Sequence, residues 1–256
     1  MNRSLYVAWR AGTHEQGRWG PVGRLDYVDG VYSFIYTQGA RTLPGFVPFA
    51  GMVDLDEVYE SDTLFPLFAN RLLARSRPEY QAYLTWGGFD YRDPPDPLAI
   101  LGVTEGRRMT DAVEIFPCPR PDPHGRYSCV FFLHGVRHLT PSALERIADM
   151  KTGMALTLFP EPVNLQDPNA VAVYSAGTAD GIRIGYVPRF LARDTRQLLG
   201  SLPAEEIKLT VRKLNLNAPL QQRLLCNLSA PWPANFEPCA GDEFQPIAAS
   251  MTELAA

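Results

Sequence analysis

The run Pro117-Cys118-Pro119-Arg120-Pro121-Asp122-Pro123-His124-Gly125 constrains this chain more than any other feature. Each proline fixes its own φ and removes a backbone donor, so alternating prolines exclude both a helix interior and a central strand. The run reads as a stiff extended connector. It divides the chain into an amino-terminal domain over 1–117, a linker over 118–127 and a second domain over 128–230. A second proline-rich stretch, Pro231 to Pro238, opens a tail over 231–256 that is expected to be flexible.

Both halves are long enough to bury a core, and 46% hydrophobic against 20% charged residues excludes disorder throughout. No apolar run approaches the roughly 18 residues that a membrane span needs. The start, MNRSLYVAWRAGTHEQGRWG, lacks the long apolar run and small-residue cleavage site of a signal peptide. The four cysteines (Cys118, Cys129, Cys226, Cys239) are scattered with no CxxC pair, which points to a reducing, cytoplasmic setting rather than a disulfide framework or zinc site. The net charge of −4 does not advertise a nucleic-acid binder. From Arg137 to Lys213, however, ten Lys/Arg stand against eight Asp/Glu, a balance of +2 that permits a local basic patch.

In the first domain, Leu5 to Trp9, Val31 to Tyr36 and Ala112 to Phe116 read as strands, with Tyr27-Val28-Asp29-Gly30 as a hairpin turn. Thr63 to Leu73 has helical spacing, Arg77 to Leu84 restarts a short helix, and Pro97 to Leu101 suggests another. In the second domain, Ser128 to His134, Met154 to Phe159, Ala170 to Tyr174, Ile182 to Val187, Ile207 to Leu214 and Arg223 to Leu228 read as strands. Residues 177–181 read as a turn, and Pro141 to Met150 and Pro188 to Leu199 as helices. The expected fold class is α+β and mostly β. An α+β domain precedes a small, partly closed OB-like barrel with two helices.

Three patterns carry candidate chemistry. Arg189, Arg193 and Arg196 fall at i, i+4 and i+7, so one helix face shows three guanidinium groups beside its amino-terminal N–H groups, as a phosphate site requires. An amphipathic surface helix with solvated arginines accounts for the same spacing. Asn164-Leu165-Gln166-Asp167-Pro168-Asn169 precedes a strand and also suits a plain turn. Arg137 and His138 follow the first strand of the second domain, where Arg137 can contact a phosphate and His138 can stack on a base.

In order and spacing, GVRHLT, NLQDPNAVAV and GIRIGYVPRFLA resemble the HIRAN domain over about residues 128–230. The resemblance implies an OB-like barrel that grips the 3′ end of single-stranded DNA. It implies that Arg137 contacts backbone phosphate or the terminal base, and that His138 stands where helicase-type members carry an aromatic ring. Asp167 would accept a hydrogen bond from the terminal 3′-hydroxyl, a group that a carboxylate favours over a phosphate. Asn164 would bond a base edge or backbone, with Asn169 beside it in the motif. Tyr186 replaces a basic or imidazole group, Arg189 replaces a phosphate-binding lysine with Arg193 one turn on, and Gln166 stands where the family has an aromatic platform.

Residues 3–117 resemble the amino-terminal subdomain of HipA-type kinases, through Leu64-Phe65-Pro66-Leu67-Phe68-Ala69-Asn70-Arg71-Leu72-Leu73 and the strand at 112–116. The kinase core, its phosphate loop and its catalytic Asp/Asn set are missing. This second resemblance implies a protein-interaction module, and as an alternative function an antitoxin-like regulator that binds a HipA-like kinase. A bacterial source and a role in toxin–antitoxin systems or phage defence fit either reading. No HExxH, GxSxG or paired Cys–His pattern is present, so the chain reads as a non-catalytic binder without cofactor or metal. The cluster Asp54-Leu55-Asp56-Glu57 reads as a solvated helix start.

Overall fold

The computed structural model describes residues 3–10, 19–108, 111–175 and 181–248. In chain order its elements are β1 (Arg3–Arg10), β2 (Trp19–Val28), β3 (Val31–Tyr36), α1 (Gln38–Thr42), β4 (Tyr59–Ser61), α2 (Pro66–Ala69), α3 (Tyr80–Trp86), α4 (Pro97–Thr104) and β5 (Val113–Pro117). They continue with β6 (Arg126–Phe132), α5 (Pro141–Ala148), β7 (Ala155–Pro160), β8 (Val171–Ser175), β9 (Arg183–Tyr186), α6 (Arg189–Ser201), β10 (Lys208–Leu214) and β11 (Leu224–Pro231). The turn expected at 177–181 lies, apart from Gly181, outside the described residues.

The chain packs as two compact units. The first comprises Met1–Arg77, Pro95–Cys118 and Cys239–Ala256. Its sheet is antiparallel, in the order β4-β3-β2-β1-β5. The β2–β3 hairpin turns at Asp29 (φ 50°) and Gly30 (φ 94°), the left-handed pair that a two-residue hairpin demands. Strand β2 is absent from the sequence reading because Gly20, Pro21 and Gly23 punctuate it. A register shift between Val7 and Ala8, opposite Pro21 and Gly23, absorbs the proline. Leu5, Val7, Leu25, Phe34, Tyr36, Phe68, Leu98 and Ile115 form the core. The Tyr36 hydroxyl donates to the Met52 carbonyl (2.6 Å) and accepts from the Phe49 N–H (2.8 Å).

Several expectations for this unit are corrected. The helix expected over 63–73 is only the short α2; beyond it the Arg71 guanidinium turns inward to bind Asp111 (2.7 Å) and the Gly106 carbonyl (2.9 Å). The acidic cluster at 54–57 is a loop, not a helix start: Asp54 accepts from the Asp56 N–H at 2.9 Å, and Asp56 pairs with Arg41. The expected flexible tail is ordered over its described residues, 231–248. Pro246 bridges Thr37, the Ile247 N–H bonds the Tyr36 carbonyl (2.9 Å), and Phe244 packs edge-on against Tyr6 (5.0 Å).

The second unit comprises Pro78–Pro94 and Pro119–Pro238. Helix α3 therefore belongs here and not to a domain over 1–117: the Asn215 amide donates to the Trp86 carbonyl at 3.0 Å, and Lys213 donates to that of Thr85. The expected linker over 118–127 is instead a tight turn running into β6. Asp122 accepts from the N–H groups of His124 (2.8 Å) and Arg126 (2.9 Å), and Gly125 supplies a φ of 68°. The start of the expected tail also packs in this unit, with Phe236 buried against Tyr127 and Trp232.

The sheet of the second unit runs β6-β11-β10-β7-β8-β9, antiparallel throughout. It curls far enough that His134, just beyond β6, bridges Tyr186 at the end of β9. The result is a half-barrel filled by Phe131, Val171, Val173, Ile184, Leu209 and Leu228. Helix α5 starts on Pro141 with the Thr140 hydroxyl accepting from the Ala143 N–H, and α6 lies near β8 with its Leu191 and Leu198 buried. No described helix is long and apolar enough to cross a membrane.

Candidate functional site

Three segments of the second unit converge: the β7–β8 loop, the bridge between His134 and Tyr186, and the start of α6. The loop is built by its own side chains. Asn164 Oδ1 accepts from the N–H groups of Gln166 (3.0 Å) and Asp167 (3.2 Å), and Asp167 Oδ1 accepts from the Asn169 N–H (2.9 Å). These are the side-chain turns that Asn and Asp favour. They occupy one oxygen of Asp167 and leave Oδ2 toward the Arg189 Nε, 3.7 Å away. That distance makes an ion pair but exceeds a hydrogen bond. The two side chains are 15% and 22% exposed, so the pair is accessible at its edge.

Glu161, at the root of the loop, is a residue the sequence reading missed. Its Oε2 accepts from the Asn164 amide (3.0 Å) and the Tyr186 hydroxyl (3.0 Å), and its Oε1 lies 3.5 Å from Arg183. One carboxylate thereby joins the loop to β9. Burial, together with this carboxylate, pushes the Tyr186 phenol above its ordinary pKa, so it remains a donor. Arg183 also lies over the Tyr186 ring, 5.3 Å from its centroid.

The bridge needs glycine on both sides. A Cβ on Gly185 would lie 2.8 Å from the His134 carbonyl oxygen, and one on Gly135 (φ 76°) would meet the Tyr186 ring at 3.1 Å. Closure at this point carries the 3-10 turn Val136–His138 to β9. Arg137 and His138 are exposed there, with Arg137 Nε donating to His138 Nε2 at 2.9 Å. The imidazole accepts from the guanidinium, and the two form one polar edge.

Helix α6 divides its arginines. Arg189 faces Asp167, Arg196 donates to the Pro168 carbonyl, and Arg193 is exposed between them. Arg196 thus clamps the loop, while Arg189 and Arg193 border it. Asp194 on the same helix is buried; burial pushes its carboxyl up to about 7, against the pull of Arg193.

The structure thus brings Asn164, Asp167, Asn169, Tyr186 and Arg189 onto one loop-and-strand surface, with Arg193 a turn further along α6. Arg137 and His138 sit at the bridge. The Asn164 side chain is engaged within the loop. Glu161 and Arg183 were not legible because cross-strand neighbours, not chain neighbours, give them partners.

Residues 126–229 match the family model for the HIRAN domain, a span short of half the chain. A crystal structure of a protein from Lactobacillus plantarum is similar at 22% identity, covering 41% of this chain and 97% of that one with a TM-score of 0.30. A crystal structure of the HIRAN domain of human HLTF is similar at 17% identity, covering 42% and 78%, with a TM-score of 0.28. No curated protein matches the sequence. The family match does not reach residues 3–125, so the HipA-like resemblance there stays an expectation.

Proposed function

We propose that the second unit grips the 3′ end of a single-stranded DNA by recognition rather than catalysis, with the first unit as a protein-interaction module. The observation that carries the reading is the pairing of Asp167 Oδ2 with Arg189 at 3.7 Å on an accessible edge. A carboxylate accepts from a terminal hydroxyl and repels a phosphate, while a guanidinium at a helix start attracts the phosphate on the other side of the last sugar. Arg193 adds a phosphate contact along α6, and the Arg137–His138 edge meets the backbone or the terminal base. Tyr186 and Asn169 line the approach, and Asn164 holds the loop in shape.

Fluorescence anisotropy of the full chain with 3′-tailed, 5′-tailed and blunt duplexes, at two salt concentrations, tests this. Preferred binding of the 3′-tailed duplex, weakening with salt, is expected. Equal affinity for all three overturns it.

A further inference from the structure

The binding edge continues onto a face of the sheet that the sequence reading assigned to no function. Phe159 of β7 pairs with Ala172 of β8, which pairs with Tyr186 of β9, so the three side chains share one face in one row. The next row is Thr157, Tyr174 and Arg183. The Phe159 and Tyr174 rings meet edge to face at 5.9 Å, and Arg183 covers the Tyr186 ring at 5.3 Å. Ala172 lies between Phe159 and Tyr186 in the row and is fully buried.

Phe159 is 61% exposed, which is unusual for a ring on a paired strand. A face with three aromatic rings and one guanidinium has the composition of a stacking platform for bases, with a charge for the intervening phosphate. The row from Phe159 to Tyr186 crosses two strand spacings, about 10 Å, enough for two or three bases stacked at about 3.4 Å. Its far end is the Tyr186 hydroxyl, which bonds Glu161 at the root of the Asp167 loop. Arg183 neutralises Glu161 at the junction. A strand whose last sugar sits at Asp167 thereby meets aromatic rings on both sides of Ala172 as it crosses the sheet.

We infer that the Phe159–Tyr174–Arg183–Tyr186 face carries the unpaired nucleotides immediately 5′ of the terminal one. The inference rests on the 3′-end reading above and extends it from one nucleotide to a short single-stranded run. Its occupant is unpaired DNA, because the face joins the end-binding edge and carries a guanidinium among its rings.

The test uses the full chain and duplexes with 3′ tails of one to six nucleotides, read by anisotropy, with 2-aminopurine at the third position from the 3′ end as a stacking probe. For the wild type, affinity should climb as the tail lengthens to about four nucleotides and then level off. Phe159→Ala should weaken binding to long tails by at least about fivefold, leave the one-nucleotide tail unchanged and restore 2-aminopurine fluorescence. Phe159→Trp should keep wild-type behaviour, and Tyr174→Ala should follow Phe159→Ala. Phe159 is exposed, so matching melting curves should show that the fold is intact. If Phe159→Ala binds every tail like the wild type, or loses the same factor at every length, the platform is refuted while the 3′-end reading stands. A wild type that binds no tailed DNA refutes both.

Discussion

Replacing Asp167 separates hydroxyl capture from plain electrostatic attraction. In the proposed complex its Oδ2, which faces Arg189, accepts from the terminal hydroxyl, while Oδ1 holds the Asn169 N–H. A hydrogen bond to a charged acceptor contributes about 1.5–3 kcal/mol, so Asp167→Ala should weaken binding of a 3′-hydroxyl end by roughly 10- to 150-fold. A 3′-phosphate end should behave oppositely. The carboxylate repels it by at least about 1 kcal/mol even at high effective dielectric, and its removal also releases Arg189 for that phosphate. Together the hydroxyl-over-phosphate preference should fall by at least about 2.5 kcal/mol, or roughly 70-fold. Asp167→Asn keeps the turn bond to Asn169 and a neutral acceptor, so its loss should be intermediate with an unchanged melting temperature. Two oligonucleotides of one sequence, differing only at the 3′ terminus, measured by anisotropy at fixed salt, give the ratio. If Asp167→Ala changes that ratio by less than about threefold, the carboxylate does not read the end and the reasoning is wrong.

Arg189→Ala combined with Arg193→Ala should lower affinity for all sequences alike and flatten the salt dependence by about 1.4 in log–log slope, two contacts at about 0.7 each for single strands; an unchanged slope would show that this helix face does not meet the backbone. Gly185→Ala should destabilise the second unit by more than about 1 kcal/mol, since its Cβ would stand 2.8 Å from the His134 carbonyl, and thermal unfolding measures this. A melting temperature equal to that of the wild type would refute the closure argument. Asp194 has a folded-state pKa raised from 3.8 to about 7, so the folded form holds its proton more tightly. Its contribution is therefore fully present below about pH 4 and lost as pH rises through about 7. Asp194→Asn should then stabilise the protein by on the order of a few kcal/mol at pH 8 and by little at pH 4, as followed by denaturant unfolding. A difference independent of pH would contradict this burial account.

Local rules decide most of the second unit. Prolines at the starts of α5 and α6 and the alternating strands of the second unit placed most of those elements to within a residue or two, because φ restriction and side-chain periodicity act over a few residues. Distant partners decide the rest. Strand β2 carries turn-like residues that a bulge accommodates, α3 lies with the unit after the proline run, and the expected tail supplies Pro246 and Ile247 to the first unit.

The candidate site divides along the same line. Asn164, Asp167, Arg189 and Arg193 were visible as a spacing pattern, and their turn chemistry is local. Glu161, Arg183, Phe159 and Tyr174 gain meaning only from register, because residues far apart in the chain become neighbours across strands. In the second unit, short-range pattern is enough to say which segments extend, which coil and where the polar loop falls. The meeting of His134 with Tyr186, which curls the sheet until loop, bridge and helix share one surface, comes from long-range packing. That closure depends on two glycines and a long-range strand pairing, and no short-range rule reports such a contact.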